Sequence, residues 1–126
     1  MEREARGNRA DFHRLLEMMR VRLTVEGPGI QYGVLTFGEV PAGKGKKRVI
    51  TILKPCKSDT EFTCNLPFVT ARVRESFWRE GYVYSQRVYV ELSPDAPKGE
   101  FAGALIVDSR APVAERRSIA IRGAVM

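Results

Sequence analysis

Residue types able to do chemistry are few in this chain of 126 residues: one histidine, His13, two cysteines, Cys56 and Cys64, and 15 acids against 21 lysines and arginines. A zinc site built on two histidines or on three cysteines is therefore excluded, and no metal or cofactor is expected. Nucleophilic catalysis would need a base beside Ser, Thr or Cys. The one imidazole, His13, lies near the N-terminus and would serve only if that segment docked over a site. Carboxylate pairs such as Glu75/Glu80 or Asp95/Glu100 can be drawn, but among so many acids their spacing is no better than chance. No catalytic residue is assigned, and the chain is read as a non-enzyme.

Cys56 and Cys64 flank Lys57–Thr63, which reads as the connection of a hairpin. A disulfide fits that reading and would contribute roughly 2–3 kcal/mol in an oxidising compartment. In a reducing one the two remain thiols, and a chain of this size folds without a staple.

Two groups of residues point to binding. The segment from Arg72 to Tyr84 gathers Phe77, Trp78, Arg79 and Tyr82, and aromatics interleaved with arginine are the usual anchors of protein interfaces. The same aromatics would equally close a core. The Gly-rich turn Pro41–Arg48 carries Lys44, Lys46, Lys47 and Arg48, a polyanion contact if the turn faces a ligand and otherwise a solvated turn. Six arginines against four acids in residues 1–22 leave most of the net charge of +6 to the remainder. No nucleic-acid reading motif accompanies it.

The elements that must position these groups follow from hydrophobic period. In residues 9–20, Phe12, Leu15, Leu16 and Met19 fall on one helical face, with Asn8 or Asp11 as N-cap. A helix so short needs its apolar stripe docked, on its own domain or on a partner. From Val21 onward the period changes to two. Arg20–Glu26, Ile30–Phe37, Lys47–Leu53, Glu61–Asn65, Phe68–Val73, Tyr82–Leu92, Phe101–Val107 and Ser118–Val125 read as strands between Gly and Pro punctuation. Val88, Val90 and Leu92 share one face and Arg87, Tyr89 and Glu91 the other, whereas Val49, Thr51 and Leu53 share a face of the earlier strand. Seven to eight strands without intervening helices predict an all-β sandwich over residues 21–126, preceded by a tail and short N-terminal α-helix over residues 1–20. No apolar run reaches the roughly 20 residues of a membrane-spanning helix, and the N-terminus lacks the apolar core of a secretory signal.

Four segments occur in a telling order: Phe37-Gly-Glu-Val-Pro-Ala-Gly43, the strand Val49–Leu53, Ala96-Pro-Lys-Gly-Glu-Phe-Ala-Gly103 before Leu105–Val107, and the close Ile119–Val125. Over about residues 30–126 this resembles a family of bacterial immunoglobulin-like domains of unknown function. That family is related to the Ig-like modules of ciliary and centrosomal proteins and, more distantly, to major sperm protein and pilus-chaperone sandwiches. The resemblance implies an immunoglobulin-like β-sandwich, a binding or structural role without catalytic residues, and a periplasmic or cell-envelope site. The missing signal departs from that picture, so the compartment stays open. The function expected is a protein-binding or structural module of a larger assembly, and the alternative is a binder of nucleic acid or another polyanion through Lys44–Arg48 and the Arg-rich helix.

Overall fold

The computed structural model describes residues 23–79, 83–110 and 114–126; the helix expected over residues 9–20 lies outside them, as does Tyr82. Alternating β-branched and polar residues produce nine strands among the described residues: β1 (Thr24–Glu26), β2 (Ile30–Gln31), β3 (Val34–Val40), β4 (Lys46–Lys54), β5 (Thr60–Cys64), β6 (Val69–Arg79), β7 (Val83–Leu92), β8 (Gly99–Ser109) and β9 (Glu115–Val125). The extended run expected from Ile30 to Phe37 is cut in two. Tyr32 and Gly33 take positive φ of 53° and 74°, and the two-residue turn folds β2 back on β3 with Ile30 opposite Leu35.

The strands form two sheets, in orders β1-β4-β7-β6 and β2-β3-β9-β8-β5. All pairings are antiparallel except β3 with β9, where Leu35 lies beside Ile121. Both sheets contribute to one core: Ile50, Ile52, Val88 and Val90 from the first, Leu35, Phe37, Leu105, Val107, Ile119 and Ile121 from the second. Burying each such side chain contributes about 1.5–3 kcal/mol, and this shared apolar layer holds the sheets face to face as a β-sandwich. Val88, Val90 and Leu92 face inward as their alternation requires. On β4 the face of Val49, Thr51 and Leu53 turns outward, and Ile50, Ile52 and Lys54 are the buried set.

One end of the core is closed by hydrocarbon. Phe101 lies edge-on to Phe68, with centroids 5.4 Å apart, and tilted to Phe37 at 6.2 Å, beside Val40, Leu92 and Val125. The chain enters β4 at this end through Gly45, whose φ of 65° and closeness to the Leu92 carbonyl, 2.7 Å from where a Cβ would stand, demand glycine.

The β3 ladder shifts register between Thr36 and Glu39, at Gly38, as a bulge. The carbonyls of Thr36 and Phe37 there accept from Arg48 Nε at 3.1 Å and Lys46 Nζ at 3.0 Å. These two bonds run from β4 of one sheet to β3 of the other and tie the sandwich along its side.

Candidate functional site

The opposite end of the core is polar, and the connection 55–59, the end of β8 at Ser109 and the start of β9 at Glu115 lie there. Lys54 ends β4 in phase with Ile50 and Ile52, so strand alternation points it inward, where it is 0% exposed. Its Nζ donates to the Ser58 carbonyl at 2.6 Å and lies 2.9 Å from Ser58 Oγ. Ser58 Oγ in turn lies 3.3 Å from Ser109 Oγ, at the buried end of β8. Desolvation pushes the Lys54 amine below the ordinary lysine value, with the Cys56 and Asp59 charges acting the other way. Beside this group the Thr60 hydroxyl bonds the buried Gln86 side chain, which donates to Ser76 Oγ at 3.3 Å.

On the rim, Glu61, Asp108, Ser109, Arg110, Ala114, Glu115 and Arg116 line an open cavity of about 380 Å³. Arg116 donates to Asp108 at 2.8 Å, and that hydrogen bond, with the carboxylate charge, raises its pKa further. Glu115 accepts from the Leu23 backbone N–H at 3.2 Å, anchoring the entry to β1.

The aromatic segment is divided by strand alternation. On β6 Trp78 pairs with Tyr84 on the inward face, while Phe77 pairs with Ser85 and Arg79 with Val83 on the outer face. Trp78 and Tyr84 meet edge to face at 5.1 Å, Trp78 remaining 53% exposed because the other sheet does not cover this end of the ribbon. Phe77 lies under the guanidinium groups of Arg79 and Arg87, each 5.9 Å from its ring. Arg79 also reaches Glu26 of β1, the far edge of its sheet, at 3.8 Å, so the ribbon coils over the outer face. Ser85 Oγ, on that same face, is buried without a hydrogen-bond partner among the described residues.

The basic turn is divided too. Lys46 and Arg48 are held by the β3 bulge, Lys47 sits 4.2 Å over the Tyr89 ring, and Lys44 stays exposed. The expected hairpin between the cysteines is not formed. Thr60–Cys64 is itself a strand, β4 and β5 belong to different sheets, and both Cys56 and Cys64 are free, partly buried thiols. Cys64 instead joins Phe62, Leu66, Val69, Thr70, Ala71 and Leu105 in a groove of about 340 Å³ between edge strands β5 and β6. Among the described residues no group of three or more His, Cys, Asp and Glu could hold a metal, and no helix is long and apolar enough to cross a membrane.

The Lys54–Ser58–Ser109 group escaped the sequence reading, which looked for histidine as the base. The available signal was the phase of Lys54 with Ile50 and Ile52.

No protein-family model and no curated protein matches the chain. Among solved structures, it is similar to a family 123 glycoside hydrolase from Clostridium perfringens, at 8% identity and a TM-score of 0.52, over 83% of this chain and 27% of that one. A Bacteroides ovatus GH5 xyloglucanase aligns at 12% identity and 0.48, over 82% and 19%, and the GspB Siglec domain at 14% and 0.48, over 85% and 58%. The chain thus spans about a quarter or less of the two hydrolases, and the likeness is one of fold.

Proposed function

We propose that the chain is an immunoglobulin-like module that binds another protein or supports a larger assembly, through the long edge strand β6 and the groove beside it. The strand orders support the immunoglobulin-like part. Sheet β1-β4-β7-β6 follows the ABED order and β9-β8-β5 the GFC order, with β3 and β2 added beside β9, and β5 crosses over to the edge strand β6 through the turn at Pro67. The observation that carries the binding role is β6 itself, eleven residues at a sheet edge with Val73 and Trp78 exposed at 37% and 53%. Such an edge can receive a partner strand by main-chain pairing while the groove takes its side chains. The bulge at Arg74 and the charges of Arg72, Arg74 and Glu75 restrain indiscriminate pairing. The bacterial origin and envelope location implied by the sequence resemblance belong to the same proposal.

The test is capture from native host lysate at two salt concentrations, with the full chain, Trp78→Ala and Val73→Glu. A protein retained at high salt by the wild type and lost with both variants supports the reading. Recovery of nucleic acid alone, released by salt, overturns it in favour of polyanion binding through Lys44 and Lys47. A chain beginning at Val21 shows whether Phe12, Leu15, Leu16 and Met19 add to the contact.

A further inference from the structure

We propose that Ser58 is an acyl acceptor: a hydroxyl nucleophile with the Lys54 amine as its general base and Ser109 as the hydroxyl that positions it, able to take one acyl group from a small activated ester. This goes beyond the binding role and does not rest on it. A nucleophile and base within about 2.6–3.2 Å is the arrangement that activates a weak hydroxyl, and Ser58 Oγ and Lys54 Nζ are 2.9 Å apart. Serine–lysine pairs serve as variants of the serine–histidine arrangement.

The surroundings of Lys54 favour the basic role. Its hydrogen bonds go to Ser58, it makes no ion pair among the described residues, and it is fully buried. Burial disfavours the ammonium more than the Cys56 and Asp59 charges favour it, so the amine is held toward the form that accepts a proton. Ser58 itself is only half-buried, in the connection after Pro55, and Ser109 beside it lines the open cavity of about 380 Å³. Ser58 does not line that cavity, and a small ester meets it through its own half-exposed side.

In the step, Ser58 Oγ forms a bond to the acyl carbon, the ester C–O bond breaks, the Ser58 proton passes to Lys54 Nζ, and the alcohol oxygen leaves with the bonding pair. It consumes the site once per chain and requires no further reactant.

The probe is an alkyl fluorophosphonate, which marks nucleophilic hydroxyls by the same attack with loss of fluoride, read on the full chain by intact mass and peptide mapping. One phosphonyl group on Ser58 is expected. It is absent in Ser58→Ala, whose folding is checked by its melting curve, and it forms about 100-fold more slowly in Lys54→Met. Lys54→Arg keeps a cationic donor but cannot take the proton, so it decides the base if the methionine variant fails to fold. Ser109→Ala slows the reaction several-fold and Ser109→Thr restores it. An unlabelled wild type, labelling elsewhere, or a Lys54 variant as fast as wild type overturns the proposal.

Discussion

At one end of the core Phe37, Phe68 and Phe101 pack ring to ring beside Val40, Leu92 and Val125, and at the other Lys54, Gln86, Ser58 and Ser109 fill the corresponding inward space. The same two sheets supply both ends, so the difference lies in side chains and not in backbone architecture. Hydrocarbon closure needs only volume and shape, whereas the polar end must satisfy each donor and acceptor, and burial works against the charged form of its amine. An end held by directed bonds is positioned more finely and stabilised less. That combination suits a site better than a plug.

The sharpest way to break this comparison is at the aromatic end. Phe37→Ala removes a fully buried ring and should cost about 3–5 kcal/mol in urea unfolding. A cost under about 1 kcal/mol would show that the end collapses around the void and is not the tightly packed partner in the comparison. Next comes the entry turn. Gly45→Ala places a Cβ 2.7 Å from the Leu92 carbonyl with φ at 65°, and about 2 kcal/mol of destabilisation is expected from the same measurement.

How much of this was legible depends on whether one face of a strand was polar. In β7 the alternation of Val88, Val90 and Leu92 with Arg87, Tyr89 and Glu91 left one solution, and the structure adopts it. In β4 both Val49-Thr51-Leu53 and Ile50-Ile52 are apolar enough to face a core, so period alone could not choose. What chose was pairing, which sets Ile50 opposite Val88 and Ile52 opposite Gln86. That choice carries Lys54 inside, against the ordinary expectation that lysine is exposed. The bends at Gly38 and Gly99 were readable because glycine at a turn has a local cause, and both take positive φ. The sheet change between β4 and β5 has no local cause, and the hairpin expected between Cys56 and Cys64 failed on it. The candidate site was obscured for the same reason, since Ser109 is remote in sequence from Lys54 and Ser58 and reaches them only through that crossing.

The polar end offers a smaller effect of opposite sign. Lys54→Met keeps the stem's volume and removes the buried amine, so stability at neutral pH should be unchanged or rise by about 1–2 kcal/mol. The pH dependence follows from the lowered pKa in the folded state. Between that value and the ordinary lysine value the unfolded chain binds more protons, so wild-type stability rises with pH across the interval. The methionine variant should lack that portion of the slope in unfolding measured from neutral to alkaline pH. A variant strongly destabilised at neutral pH would mean that the Ser58 bonds outweigh desolvation, and the polar end would then be a structural clasp.

The smallest expected effect on folding falls on Trp78. Half of the side chain faces solvent, and it makes an edge-to-face pairing with Tyr84, worth about 0.5–1.5 kcal/mol in well-packed examples. Trp78→Ala should therefore shift the urea midpoint by no more than that allows, while Tyr84→Ala, which empties a position only 7% exposed, should cost several times as much. The pair of measurements separates two uses of aromatic area at the same end. Tyr84 spends its area closing the sandwich, and Trp78 leaves its area available to a partner. If retention of a protein partner falls far more with Trp78→Ala than folding stability does, the exposed ring is there to be covered. If both fall together, Trp78 is the outermost layer of the core, and the binding surface must be sought along the β5–β6 groove instead.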